Sequence, residues 1–139
     1  MNIRQVKSSS AAFYIASNRC LEERRIGPES LEIILVPGIV CAVFSIELGL
    51  KAIILGAGGK PSGHKLSQLF AKLGPWVQNE IIRAVGLEQQ AFLAELAAIS
   101  DAFVQWRYVY EHTEVTMSMG FLDKLAVATQ AAVAHAVDV

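Results

Sequence analysis

Glu47, Arg107 and His112 are the residues of this sequence best suited to chemistry. Glu47 is the only charge in the middle of the most apolar stretch, where a carboxylate is costly unless a cation or several hydrogen bonds meet it. Lys51, four residues on, can pair with it at a helix surface; if Glu47 faces inward instead, Arg107 is the expected partner. Arg107 has Glu111 four residues ahead as an ordinary surface ion pair, and His112 five ahead. Five residues of regular helix turn through about 140°, so arginine and histidine converge only where the helix loosens or where two copies face each other. Once together they suit phosphodiester chemistry. An imidazole can take the proton of an RNA 2′-hydroxyl or protonate a leaving oxygen, and a guanidinium can stabilise the charge of a phosphorane-like transition state. Neither step requires a metal.

Other candidates are weaker. His64, in Gly63-His64-Lys65-Leu66, is expected at the start of a short helix as a packing or capping imidazole. Trp106 and Tyr110 lie one turn apart and read as core, whereas Tyr108 points elsewhere, toward solvent or an interface. Gly59-Lys60 invites a phosphate-loop reading, but Ile54 and Pro61 occupy the positions of the first glycine and the Ser/Thr, so the segment reads as a helix cap and connector. His64, His112 and His135 are far apart in sequence and form no HExxH or facial-triad pattern, no GxSxG elbow exists, and Cys20 and Cys41 give no CxxC. No metal or cofactor is expected.

The elements that must position these residues are helical. Ser8-Ser9-Ser10 can cap a helix running to about Ile26, stopped by Gly27-Pro28. Leu31–Val36 is ambiguous, since a lone strand has no partner. Pro37 suits the first turn of a second helix carrying Ile39, Val43, Ile46, Leu50 and Ile54, apolar on most sides and therefore central. Leu66–Leu73 and Val77–Val85 predict two short helices. From Leu87, the series Phe92, Leu96, Ile99, Phe103, Trp106, Tyr110 steps by threes and fours as a long helix. An Ala-rich helix follows over about Met117–Val137. The expectation is a single all-α domain over 1–139, a bundle of four to five helices with short connecting ones.

Bulk properties agree with one globular unit. At 139 residues the chain has the length of one domain, and 53% hydrophobic content with 18% charge excludes a disordered tail. A net charge of −1 excludes a strongly basic nucleic-acid binder, though not a local RNA site. The apolar run Ala11–Ala16 is six residues long, too short for a signal-peptide core. The uncharged stretch between Glu32 and Glu47 is fourteen residues, short of the ~20 that span a bilayer, so a cytoplasmic protein outside the membrane is expected.

The order of these features resembles prokaryotic HEPN-type domains. Phe44-Ser45-Ile46-Glu47-Leu48-Gly49-Leu50-Lys51-Ala52 looks like their E-x-x-L-K-A second helix, Gly63-His64-Lys65-Leu66-Ser67-Gln68-Leu69 their G-H-x-L-x-x-L segment, and Phe103–Glu111 their F-x-x-W-R-Y-x-Y-E signature. The resemblance covers roughly 37–112 and implies a helical bundle, commonly a homodimer. Many members are RNA-cleaving toxins or defence effectors with an R-x(4–6)-H motif at the dimer interface and no metal. Arg107–His112 satisfies R-x4-H, and Glu47 matches the polar residue of the second helix that supports that site. By this resemblance His112 is the general acid/base, Arg107 the phosphate and transition-state stabiliser, and Glu47 the orienting carboxylate. Toxins of this kind can be controlled by an antitoxin-like nucleotidyltransferase partner and then carry a tyrosine two positions past the histidine. Here that position is Glu114, which would repel RNA phosphate. The alternative is a non-catalytic interaction or nucleotide-binding module in which Arg107 belongs to a structural ionic network with Glu47 and Glu111.

Overall fold

The computed structural model describes the backbone of residues 1–107 and 118–139 and the side chains of 1–101 and 118–139. Its elements run α1 (Ile3–Cys20), β1 (Arg24–Gly27), β2 (Ser30–Glu32), α2 (Leu35–Gly56), α3 (Leu66–Ala71), α4 (Pro75–Val85), α5 (Gln89–Arg107) and α6 (Met119–Ala136). The described residues thus form a helical bundle with one two-stranded ribbon, and a single apolar core draws on every helix.

Helix α1 starts earlier and stops sooner than the serine run implies. The Asn2 side chain accepts from the Arg4 and Gln5 amides, and Leu21 closes the helix. Ser8-Ser9-Ser10 lie inside it instead of capping it. Beyond Cys20 a helix would gain no burial, because Glu22, Glu23, Arg24 and Arg25 are charged and Ile26 remains exposed. That segment pairs instead with Ser30–Glu32 as an antiparallel hairpin, Arg24 opposite Glu32 and Arg25 opposite Leu31, with a bulge before Gly27. Of the ambiguous stretch Leu31–Val36, Leu31 and Glu32 are therefore strand, paired with residues assigned by periodicity to the end of a helix, whereas Leu35 and Val36 open α2.

Helix α2 is central, as its apolar surface requires. It begins two residues before Pro37, which keeps its first-turn position. At 22 residues and a mean hydropathy of 2.1 in its most apolar window, it has the length and composition of a membrane-crossing helix, yet 72% of that window is buried inside the fold. The fourteen-residue limit read from the uncharged run does not hold, because Glu47 and Lys51 continue the same helix.

Three helices meet through small polar side chains around Ser10 and Ser45, and Phe13 of α1 packs on Phe44 of α2 with ring centroids 5.6 Å apart. Ser10 Oγ donates to the Ser45 carbonyl (2.7 Å), Ser45 Oγ to the Ser10 carbonyl (2.9 Å), and Ser17 Oγ to the Gly38 carbonyl (2.9 Å), so α1 and α2 run antiparallel in fixed register. Gln130 of α6 donates to both serine hydroxyls. Gly49 completes this seam: a Cβ there would lie 2.6 Å from the Thr129 methyl and 3.1 Å from Ser10 Oγ.

The remaining helices close the core with apolar stripes at the expected spacing, α3, α5 and α6 against α2 and α4 against α6. Leu66, Leu69 and Phe70 of α3, Val77, Ile81 and Val85 of α4, and Phe92, Leu96 and Ile99 of α5 are buried. Phe92 packs between Phe70, tilted against it, and Phe121, edge to face, with ring centroids 5.0 and 5.5 Å away. Gly59-Lys60 lies in the connector after α2, whose end is capped by the Ala57, Gly58 and Gly59 amides, as the cap reading expects.

Two outcomes follow. Gly49→Ala should lower stability by ~1–3 kcal/mol in urea unfolding, and adding Thr129→Ala, which removes the opposing methyl, should recover part of the loss. Cys20 and Cys41 are free and half-buried, and burial together with the neighbouring Cys20 pushes the Cys41 thiol up. Less thiolate at pH 8 should make Cys41 alkylation by iodoacetamide at least ~3-fold slower than that of an exposed thiol, measured by peptide mass spectrometry.

Candidate functional site

Glu47 faces inward on α2 and is 3% exposed. Its Oε1 accepts from Lys51 Nζ at 2.7 Å, and the lysine is itself buried. The pair expected between these residues thus exists, but in the interior instead of at a helix surface. Spacing explains half of this: residues four apart on a helix face the same way, so when Glu47 turns inward Lys51 turns with it.

The second partner is His64. Its Nδ1 donates to the same Oε1 at 2.7 Å across the connector between α2 and α3. The imidazole does not cap α3, whose N-cap is Lys65. Gly63 adopts φ +82°, a left-handed conformation that favours glycine, immediately before the histidine. The chain is also fastened just beyond His64. Lys65 pairs with Asp101 of α5 at 3.6 Å, and the Ser67 amide donates to Ser100 Oγ at 3.0 Å. Residues 63–67 therefore span from α2 to α5 with His64 held at one end.

The electrostatics of this cluster are specific. A carboxylate only accepts, so the Nδ1 facing it carries the hydrogen, and the neutral imidazole keeps its lone pair on Nε2. Lys51 supplies the charge opposite to Glu47 on the same oxygen. The His64 side chain is 80% exposed, in contrast to the carboxylate that anchors it. Glu47 Oε2 is buried with no hydrogen-bond partner among the described residues. Such an arrangement can orient an imidazole for proton transfer at the surface.

Arg107 is the last described residue of α5, six residues beyond Asp101 and so about 9 Å farther along the helix axis. Its side chain and the whole of His112 lie outside the described residues, as do Tyr108, Tyr110, Glu111 and Glu114. Of the three residues singled out for chemistry, the described part of the chain places Glu47 in full and Arg107 by its backbone. His64 is the partner that sequence reasoning missed. The usable signal was Glu47 itself: an isolated interior carboxylate demands donors, and a histidine flanked by glycine in a nearby loop is one.

A second carboxylate–imidazole pair joins α4 to α6, where His135 Nδ1 meets Glu80 Oε1. Among the described residues no three His, Cys, Asp or Glu side chains are grouped to hold a metal ion.

Removing one partner of the interior pair should be far worse than removing both. Lys51→Met or Glu47→Gln alone is expected to cost ~3–5 kcal/mol in chemical denaturation, and the Glu47→Leu/Lys51→Met double variant much less, because no unpaired charge is then buried.

No protein-family model, curated protein or solved structure matches this chain.

Proposed function

We propose that this chain is a HEPN-like helical domain that cleaves RNA as a homodimer in the cytoplasm, without a metal. In this reading Arg107 binds the scissile phosphate and stabilises its transition state, His112 transfers a proton, and Glu47 is the orienting carboxylate. The RNA 2′-oxygen attacks the adjacent phosphorus as its proton leaves, the P–O5′ bond breaks, and the 5′-oxygen takes up a proton, yielding a 2′,3′-cyclic phosphate and a 5′-hydroxyl end. The observation that carries the reading is Glu47. A carboxylate buried in the central helix costs stability, and this one holds an exposed imidazole by Nδ1, the arrangement that proton-transfer chemistry uses. The family resemblance adds the motif, and it also makes an antitoxin-like nucleotidyltransferase a partner to seek, against which Glu114 counts.

A second reading has its own observation. Lys51 neutralises Glu47 within one helical turn and both are closed off from solvent, which is sufficient for a structural ionic network in a non-catalytic interaction or nucleotide-binding module. Cleavage of a mixed RNA substrate in EDTA separates the two. The parent chain is expected to cleave, and Arg107→Ala and His112→Ala to lose ~10²–10⁴-fold in rate while keeping the parent circular dichroism. A folded parent that leaves RNA intact supports the interaction module instead. Light scattering on the same samples is expected to give twice the chain mass.

A further inference from the structure

A strand needs hydrogen-bond partners on both sides, and β1 has them on one. Among the described residues β1 pairs with β2 and with no other strand, so its outer edge presents open backbone N–H and C=O groups. The ribbon faces solvent: residues 22–26 and 28–32 are exposed, Ile26 at 65% and Leu31 at 58%. Two strands by themselves are of marginal stability in water. We propose that this edge joins two copies of the chain, with β1 antiparallel to the β1 of its partner in a sheet ordered β2-β1-β1-β2. The inference assigns an interface to the homodimer of the reading above and does not rest on RNA cleavage.

Charge identifies the occupant. Along this edge the chain reads Glu22-Glu23-Arg24-Arg25, two acids followed by two bases. Reversed and with signs exchanged, the string is unchanged. An antiparallel copy therefore brings acid to base, whereas a parallel copy brings like to like. Side chains directly opposite share a face of the sheet, so a two-fold axis passes through a residue and not between two. With the axis at Arg24, Glu23 stands opposite the partner's Arg25, and Arg25 opposite the partner's Glu23. The two Arg24 side chains meet on the other face, each with Glu22 of its own chain at 3.2 Å and Glu32 across the ribbon. Every arginine of the joined sheet then has a carboxylate beside it. The far edge repels a further copy, because the charges on and next to β2, Glu29 and Glu32, are both acidic, and the assembly closes at two.

Sedimentation of the full chain over a dilution series tests the interface, with circular dichroism as the check on folding. The parent should sediment as a dimer. Glu22→Arg/Glu23→Arg makes the edge wholly basic and Arg24→Glu/Arg25→Glu wholly acidic. Each alone should associate ~10-fold or more weakly, and an equimolar mixture should recover the parent Kd within ~3-fold. Glu23→Arg/Arg25→Glu, which exchanges the two opposed residues within one chain, should dimerise with itself as the parent does. It carries the test if either single-sign variant misfolds. Single-sign variants that dimerise as tightly as the parent overturn the interface and leave the homodimer to another face. Folded variants that stay monomeric when mixed overturn the antiparallel pairing, as does a folded exchange variant that stays monomeric. A parent that is monomeric at ~100 µM overturns the interface and the homodimer together, while RNA cleavage is decided by its own assay.

Discussion

The ion pair inside α2 is the constraint around which this structure is arranged. A carboxylate and an ammonium removed from water each lose several kcal/mol of hydration, and only close contact between them offsets that loss. Glu47 and Lys51 achieve the contact at 2.7 Å because one helical turn separates them, so α2 can be almost wholly apolar and still carry two charges through the core. The apolar faces of α3, α5 and α6 then close around a helix that is neutral in sum, and α4 packs on α6. His64 enters as a third member, from a connector that has to turn back toward α2 to reach the same oxygen.

Close approach of backbones is the second theme, and small polar residues make it work. At the α1–α2 seam the Ser10, Ser17 and Ser45 hydroxyls each donate to a carbonyl of the facing helix, so these three buried groups are satisfied where the helices come near each other. Gly49 extends the same economy toward α6, whose Gln130 reaches both Ser10 and Ser45. Hydrophobic packing alone would tolerate sliding of α1 along α2, whereas these directional bonds set one register. That register carries Glu47 to its interior position.

Helix existence was legible because burial follows a period that can be counted. Phe92, Leu96 and Ile99 occupy the buried face of α5 as their spacing requires, and Val77, Ile81 and Val85 do the same on α4. Boundaries were less so. Ser8-Ser9-Ser10 has the composition of a cap, but its hydroxyls are used across a helix interface, and a cap can be recognised only where the chain actually turns. The hairpin was hidden for a related reason: Arg24–Gly27 and Ser30–Glu32 are both exposed, so no alternation of burial marks them, and their pairing is a relation between two segments. At the site, Glu47 announced its need for a partner while the identity of the exposed partner depended on where a glycine-rich connector travels.

What the sequence determined by itself was the all-helical class, the central place of α2 and the singular status of Glu47, since hydrophobic period and the cost of an isolated charge are properties of local composition. Only the tertiary structure decided that Glu47 and Lys51 pair in the interior, that Gly63 and the α5 contacts deliver His64 to the same carboxylate oxygen, and that serines serve as interhelical bonds. The Glu47–Lys51 contact itself follows from their spacing, but its place in the interior, like the His64 and serine contacts between residues far apart in the chain, is set by the packing of whole helices.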